Sequence, residues 1–209
     1  MIDLYTWSTP NGRKISILLE ELGWPYTVHA IDITSNQQFA SDFLAISPNN
    51  KIPAIVDQQN GMAVMESGAI LIYLAERADR FLPRAPSARM ATLEWLMWQM
   101  GGFGPMLGQA HHFVHFNPDK SVYARARYAA EAQRLYGVLD RRLGEHAYVA
   151  GGDYNIADIA IWPWVARFEW QAVALQDFPH VLRWYRDIAA RPAVVRGYSV
   201  PTAGKIPAA

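Results

Sequence analysis

The chain has 209 residues, of which 51% are hydrophobic, so it can bury a sizeable core in one large domain or two small ones. Its 19 Lys and Arg residues balance its 19 Asp and Glu residues, and this zero formal net charge argues against nucleic acid as a partner. It has no cysteine, which excludes disulfides, thiolate metal sites and a protein thiol nucleophile, so any thiol chemistry must use a thiol carried by the ligand.

The first 80 residues alternate between strand and helix signals. A turn with Pro10 and Gly12 opens the first helix, which Gly23 and Pro25 end, and an Asn-Gly turn joins the last two strands. The predicted elements are, in order, a strand at 2–5, a helix to 22, a strand at 26–33, a short helix within 34–47, strands at 54–56 and 62–65, and a helix from 67. The order β-α-β-α-β-β-α predicts an α/β domain over residues 1–80.

The remainder of the chain has helical signals only. Residues 81–88 contain two prolines and are predicted to be a linker, followed by an all-α domain over residues 89–209. We expect Gly101 and Gly102 to end its first helix, a long helix over 121–143, a capping box at 155–158, a last long helix over 178–191 and a loose tail from Pro201. No apolar run reaches the roughly 18 residues of a membrane span, and the N-terminus has no signal-peptide pattern. We therefore expect a cytoplasmic protein with no membrane partner.

A proline stands at the start of a short apolar strand, where its missing N–H is tolerated. If the Ile52–Pro53 bond is cis, the N–H and C=O of Ile52 point outward and can pair with the backbone of an extended, peptide-like ligand. Ten residues after Val56, at the end of this strand, Glu66 and Ser67 stand at the start of a helix, where an anion is attracted by the helix dipole and its N–H groups. Ser67 alone would be read as an N-cap and Glu66 as a surface charge, but a neighbouring donor and acceptor suit the two ends of an α-amino acid group.

Thr9 and Asn11 flank the start of the first helix. A ligand thiolate placed there would meet side-chain donors and the positive end of the helix, which lowers a thiol pKa. An ordinary turn with a capping Asn is the alternative, and Ser8 and Tyr5 offer other hydroxyl groups.

Five further polar positions are weaker candidates. Gln38 could contact an amide or carboxylate, and Lys51 could neutralise a terminal carboxylate, although both suit an exposed loop. The His111, His112 and His115 cluster is read as the polar lining of a cleft or interface rather than a metal site, because no acidic residue accompanies it.

Several ordered motifs resemble those of cytosolic glutathione transferases over nearly the whole length. They are residues 9–12 (Thr-Pro-Asn-Gly), 47–55 (Ser-Pro-Asn-Asn-Lys-Ile-Pro-Ala-Ile), 66–70 (Glu-Ser-Gly-Ala-Ile) and 155–158 (Asn-Ile-Ala-Asp). Residues 99–109 and 111–113 are similar to the bacterial Nu class, whose members are glutathione-dependent disulfide-bond reductases. Trp7 and Ser8 depart from the pattern of that class.

This resemblance implies a thioredoxin-like α/β N-terminal domain with a cis-Pro53, an all-α C-terminal domain, and a homodimer. It implies reduced or disulfide-form glutathione as cosubstrate, no metal, and small-molecule disulfides or electrophiles as partners. Asn11 with Thr9 would lie by the sulfur, Ile52 would pair with the cysteinyl backbone, and Glu66 and Ser67 would hold the γ-glutamyl end. The remaining implied contacts are Gln38, at the glycyl end or a second glutathionyl unit, Lys51 and Arg127.

Two alternatives to disulfide reduction stay open at this point. The first is conjugation of glutathione to electrophiles or reduction of peroxides. The second is a non-catalytic scaffold of the same fold that binds a partner protein, which need not retain Glu66 and Ser67.

Overall fold

A computed structural model describes all 209 residues and contains two compact units. The first unit comprises Met1–Leu82 and Ala189–Ile206, and the second comprises Pro83–Ile188 and Pro207–Ala209. No helix in either unit is both long enough and apolar enough to cross a membrane.

The first unit is built on a four-stranded mixed sheet with the order β2-β1-β3-β4. The strands are β1 (Ile2–Thr6), β2 (Tyr26–Ala30), β3 (Ala54–Asp57) and β4 (Met62–Met65), and the helices are α1 (Pro10–Leu22), α2 (Ser41–Leu44) and α3 (Ser67–Ala78). β1 is parallel to β2 and antiparallel to β3, and β3 is antiparallel to β4. This is the predicted order of elements, and the sheet is that of a thioredoxin-like domain.

The second strand is shorter than predicted. The sequence pattern extended it to Ile33, whereas β2 ends at Ala30 and a 3₁₀ turn spans Ile33–Ser35. The Asp32 carboxylate caps this turn by accepting from the Thr34 N–H at 2.8 Å. A local side-chain bond of this kind offers the backbone an alternative to strand pairing.

A ninth helix, α9 (Pro192–Tyr198), packs along α1 within the first unit. Gly197 permits the close approach, because a Cβ at this position would lie 2.6 Å from the Ile17 Cα. The Ser16 hydroxyl donates to the Gly197 carbonyl at 2.7 Å, and Arg191 pairs with Glu21 at 2.6 Å. The contacts therefore place residues 189–206 with the first unit, whereas the sequence analysis assigned all of 89–209 to the helical domain.

The last long helix is interrupted because α8 (Pro179–Ala189) ends before Pro192 opens α9. The expectation of a loose tail is wrong. The Thr202 hydroxyl lies 2.7 Å from the Ser8 hydroxyl in the first unit, and the Pro207 carbonyl accepts from the Tyr185 hydroxyl at 2.7 Å in the second.

The second unit is helical. It contains α4 (Pro86–Trp98), α5 (Gly104–Ala110), α6 (Val122–Glu145), α7 (Ile156–Val165) and most of α8. α4 begins within the predicted linker, because Pro86 takes a first-turn position where no N–H is needed. Gly101 and Gly102 do not end this helix, contrary to expectation. Two π-helical segments, Gln99–Phe103 and His111–Phe116, continue the helical path on either side of α5.

The core of the second unit is organised by α7, every residue of which is buried. The predicted capping box is present: Asn155 caps the helix and the Asp158 carboxylate accepts from the Asn155 N–H at 3.1 Å. Asp158 also accepts from the Val149 N–H and the Trp184 indole N–H, at 2.9 and 2.8 Å. Burial raises the pKa of Asp158 to about 6, against the effect of these three donors.

Candidate functional site

Four chain segments meet at one end of the sheet because of the strand register. Tyr5 of β1 pairs with Ala54 of β3, and Ala54 pairs with Met65 of β4, so the end of β1, the start of β3 and the end of β4 are neighbours. β2 ends beside them, since the Ile31 N–H donates to the Thr6 carbonyl at 2.9 Å. We call this place the strand-end site; it is formed by residues 7–14, 31–38, 47–53 and 66–67. The register therefore brings the segments that carry Thr9, Asn11, Lys51, Ile52, Pro53, Glu66 and Ser67 to the same end of the sheet, and the segment that carries Gln38 begins there.

The first of these segments is the turn into α1. The Thr9 hydroxyl caps the helix by accepting from the Gly12 N–H at 3.1 Å, and the Thr9 N–H donates to the Trp7 carbonyl at 2.7 Å. Gly12 is required because a Cβ would collide with the Trp7 carbonyl oxygen. Asn11 occupies the second helical position, half-buried, at the positive end of a 13-residue helix. The positive end of a helix is an electrostatic setting that favours an anion such as a thiolate.

The segment at 47–53 is the turn into β3. The Ser47 hydroxyl donates to the Lys51 carbonyl at 2.8 Å, and Asn50 has a φ of 49°, a left-handed conformation that Asn tolerates. The Ile52–Pro53 bond is cis, as the resemblance implied. None of the backbone hydrogen bonds outside the helices and strands involves Ile52, so its N–H and C=O are not used by the fold. The Lys51 side chain is exposed.

Gln38 belongs to the segment that follows β2. It lies in a 3₁₀ turn at Gln37–Phe39, half-buried. Its side-chain oxygen is buried and has no hydrogen-bond partner within the chain. A buried acceptor without a partner carries a desolvation cost that a ligand donor would remove.

The fourth segment, residues 66–67, joins β4 to α3. Glu66 is exposed, with φ 67° and ψ 116°, a conformation that is costly for a residue with a side chain. The Asn49 amide donates to the Glu66 carboxylate at 3.4 Å, which links this segment to the turn before β3. Ser67 is 3% exposed. Strained backbone of this kind is concentrated at functional sites.

The expectation that Ser67 caps α3 is wrong. Ser67 is the first helical residue, Glu66 holds the N-cap position, and no side chain provides a capping bond. The Ser67 hydroxyl instead accepts from the Lys14 ammonium group at 3.1 Å. Burial lowers the pKa of Lys14 to about 7, and the nearby Glu66 carboxylate opposes this effect.

The two hydroxyl groups that were alternatives to Asn11 and Thr9, those of Ser8 and Tyr5, have other contacts. The Ser8 hydroxyl is hydrogen-bonded to Thr202 of the segment that follows α9. The Tyr5 ring stacks on His29, with centroids 4.5 Å apart, and burial raises the pKa of Tyr5 above its usual value. Neither contact adds a group to the start of α1 beyond Thr9 and Asn11.

Arg127 is the one predicted contact that lies in the second unit, exposed on α6. It lines a groove of about 560 Å³ together with Met106, Tyr123 and Arg134. Arg134 is committed to Glu131 by two hydrogen bonds, at 2.7 and 2.8 Å, and this contact lowers the pKa of Glu131. Arg127 makes no such hydrogen bond, and its role as a glutathione contact stays a prediction.

The histidines of the cluster pack against aromatic side chains rather than forming a ligand set, and only His111 is buried. His111 stacks on Trp164, and its Nε2 accepts from the Gln171 amide at 3.0 Å. Burial, with Arg167 nearby, lowers the pKa of His111 to about 4, so the ring is neutral at neutral pH. His115 stacks on Trp170, with centroids 4.8 Å apart. No group of three or more His, Asp or Glu side chains is arranged to hold a metal ion.

Sequence reasoning missed two residues of the strand-end site, Lys14 and Asn49. Lys14 carried a detectable signal, since it lies one helical turn before Leu18 on the buried face of α1, where a charge needs a partner. Asn49 carried none, because its contact with Glu66 depends on the pairing of β3 with β4.

Known proteins are similar to this chain in both sequence and fold. The family models "Glutathione S-transferase, N-terminal domain" and "Glutathione S-transferase, C-terminal domain" match residues 1–76 and 123–187. Disulfide-bond oxidoreductase YfcG of Escherichia coli is 50% identical over 92% of this chain and 92% of its own length.

Two solved structures with a similar fold contain glutathione or glutathione disulfide. A glutathione transferase family member from Pseudomonas fluorescens, with two glutathione bound, has a TM-score of 0.90 and 44% identity, covering 96% of this chain and 93% of that one. A glutathione transferase from Pseudomonas putida, with one glutathione disulfide bound per subunit, has a TM-score of 0.91 and 42% identity, covering 96% and 91%.

Proposed function

Because the chain belongs to the glutathione S-transferase family, we propose that it binds glutathione at the strand-end site and reduces small-molecule disulfides with glutathione thiols. The observation that carries this proposal is the absence of cysteine in a chain 50% identical to a disulfide-bond oxidoreductase. The chain can form no mixed disulfide of its own. Both thiols of the reduction therefore come from glutathione.

The geometry of the strand-end site supports a role for each binding group. The Ile52 N–H and C=O pair with the cysteinyl backbone beside Pro53. Glu66 accepts from the γ-glutamyl ammonium group, and the Ser67 hydroxyl donates to the neighbouring α-carboxylate. Gln38 and Lys51 contact the glycyl end or a second glutathionyl unit. Arg127 lies outside the strand-end site, and its proposed contact with glutathione rests on the family resemblance alone.

The positive end of α1 stabilises the reacting thiolate. A free thiol has a pKa of about 8.5, and helix N-termini lower it. A decrease of about two units, which corresponds to roughly 2.7 kcal/mol, would leave most of the bound thiol ionised at neutral pH. Asn11 donates from its side chain toward the sulfur, and the Thr9 hydroxyl, which already accepts from Gly12, retains its hydrogen for donation.

The reaction proceeds by two thiol–disulfide exchanges. The first glutathione thiolate attacks one sulfur of the substrate disulfide, forms a glutathionyl mixed disulfide and releases the other sulfur as a thiolate. The second glutathione thiolate attacks the glutathionyl sulfur, forms glutathione disulfide and releases the second substrate thiolate, and both released thiolates take up a proton. Two glutathiones lose two electrons in total, and one substrate disulfide gains them.

Steady-state turnover separates this function from its alternatives. The purified chain is assayed with 2-hydroxyethyl disulfide and glutathione, coupled to NADPH through glutathione reductase, beside chlorodinitrobenzene conjugation and cumene hydroperoxide reduction. We expect disulfide turnover well above both other activities. Dominant conjugation or peroxide reduction would replace the proposed reaction, and silence in all three assays would favour a non-catalytic scaffold.

We also propose a homodimer that works in the cytoplasm, where the glutathione pool is kept reduced. α4 presents a stripe of apolar side chains at helical spacing, Met90, Leu93 and Met97, and the two methionines are 57% and 51% exposed. An apolar stripe of this kind suits burial against a second copy. Light scattering should give twice the chain mass, and Met97→Glu should reduce it toward a monomer.

A further inference from the structure

The segment that follows α9 folds back onto the turn that opens α1. Within the first unit, the Thr202 hydroxyl lies 2.7 Å from the Ser8 hydroxyl, although the two residues are 194 positions apart in the chain. Gly204 lies against Arg13, since a Cβ on this glycine would be 2.9 Å from the Arg13 Nη2. The segment therefore contacts α1 and its entry turn on both sides of the two residues that are placed beside the sulfur.

This segment is also fixed at its own start. The Arg13 guanidinium stacks over the ring of Tyr198, the last residue of α9, at 3.5 Å. The Ser199 hydroxyl donates to the Val195 carbonyl at 3.3 Å and lies 3.4 Å from the Gly204 carbonyl. Residues 199–204 are therefore held on α9 while they bring Thr202 to the turn into α1.

The turn that Ser8 belongs to determines where the groups beside the sulfur lie. Ser8 directly precedes Thr9, whose N–H donates to the Trp7 carbonyl at 2.7 Å and whose hydroxyl accepts from the Gly12 N–H at 3.1 Å. A displacement of Ser8 is therefore passed to Thr9 and to the first turn of α1, where Asn11 stands. A displacement of about 1 Å at reacting groups can cost catalysis up to about a hundredfold.

The contact between the two hydroxyl groups is at the surface. Thr202 is exposed and Ser8 is half-buried. Replacing the Thr202 hydroxyl by a methyl group of the same shape therefore leaves no deeply buried polar group without a partner. We expect the loss of this contact to change the position of the turn and to leave the stability of the first unit nearly unchanged.

We propose that Thr202 is a positioning residue for the reduction of disulfides. Its hydrogen bond with Ser8 fixes the turn that presents Thr9 and Asn11 to the glutathione sulfur, so its effect on the reaction passes through Ser8. The inference rests on the proposed function, because it takes the reacting thiolate to lie at the start of α1.

A double-mutant cycle tests this coupling with Thr202→Val, Ser8→Ala and the two substitutions combined. For each variant, we would measure kcat/KM for 2-hydroxyethyl disulfide, the thiol pKa of bound glutathione from its ultraviolet thiolate absorbance, and the urea midpoint of unfolding. Thr202→Ser retains the hydroxyl group. Thr27→Val is the matched control, because it removes an exposed hydroxyl group on β2 that contacts only the Met1 sulfur, at 3.9 Å.

Thr202→Val should lower kcat/KM by about three- to tenfold, the range that one hydrogen bond commonly provides, and should raise the thiol pKa of bound glutathione. Its urea midpoint should equal that of the wild type, and Thr202→Ser and Thr27→Val should stay within about twofold in kcat/KM. Because the two hydroxyl groups act as one unit, the combined variant should lose no more than the larger single loss.

Four results would overturn the inference alone. They are unchanged kinetics for Thr202→Val, losses that multiply in the combined variant, a higher KM for the disulfide with an unchanged thiol pKa, which indicates a direct substrate contact, and a lower urea midpoint with an unchanged thiol pKa, which indicates a structural role. A wild-type chain that reduces no disulfide would overturn the proposed function and this inference with it.

Discussion

The buried ammonium group of Lys14 makes the stability of the unliganded protein depend on pH. Its pKa is lowered from 10.5 to about 7 by burial. A lysine with a depressed pKa in the folded state opposes folding at low pH, because the unfolded chain holds the proton more tightly. Its contribution to stability is therefore lost as pH falls through 7 and is present in full above the pKa of the unfolded chain.

The size of this pH dependence follows from the shift in the pKa of Lys14. Each unit of pKa difference corresponds to about 1.4 kcal/mol. Between pH 6 and pH 9 the folded Lys14 changes from charged to neutral while the unfolded lysine stays charged, so the free energy of unfolding should rise by about 2.5 kcal/mol from this group. Lys14→Met removes this contribution and leaves the other titrating groups in place.

Urea unfolding of both proteins, followed by tryptophan fluorescence at pH 6, 7, 8 and 9, measures the difference. The wild-type free energy of unfolding, minus that of Lys14→Met, should increase by about 2.5 kcal/mol over this range. A difference that is constant within about 0.5 kcal/mol, or one that decreases with pH, would refute the burial of a titrating ammonium group at this position.

Three other experiments test the site and its support. Asn11→Ala should lower kcat/KM for disulfide reduction by roughly 10- to 100-fold and raise the thiol pKa of bound glutathione, read from its ultraviolet thiolate absorbance; unchanged kinetics would remove Asn11 from the mechanism. Glu66→Ala with Ser67→Ala should abolish retention on a glutathione matrix, and normal retention would overturn the γ-glutamyl assignment. Gly197→Ala should destabilise the first unit by about 1–3 kcal/mol in thermal or urea unfolding, because its Cβ meets the backbone of α1 at 2.6 Å, whereas Gly152→Ala, with no neighbour within 4 Å, should be near neutral.

Local signals predicted most of the fold. Gly23 adopts a left-handed φ of 66° at the end of α1, and the capping box at Asn155 opens α7, as their residue types indicate. The failures lie where tertiary packing overrides local preference. Gly101 and Gly102 lie within a continuous helical path that goes on from α4 to α5, and no local pattern indicates that α9 packs on α1 through Gly197.

The strand-end site was predictable only in part. Ile52, Pro53, Glu66 and Ser67 follow from a proline at a strand start and a helix N-terminus, and the sheet register gathers them at one edge. The hydrogen-bond partner of the Ser67 hydroxyl could not be predicted from the sequence. A serine at a helix start has the same local pattern whether it caps the backbone or accepts from a buried lysine. That difference depends on Lys14, 53 residues earlier in the chain.

The count of glutathione molecules held by one chain tests the proposed reaction most directly. Native mass spectrometry of the protein with excess glutathione gives this number without a reaction. A reductase that takes both thiols from glutathione should hold two glutathiones, or one glutathione disulfide, per chain. A single glutathione per chain at saturation, with no glutathione disulfide bound, would contradict the account and favour conjugation of one glutathione to an electrophile.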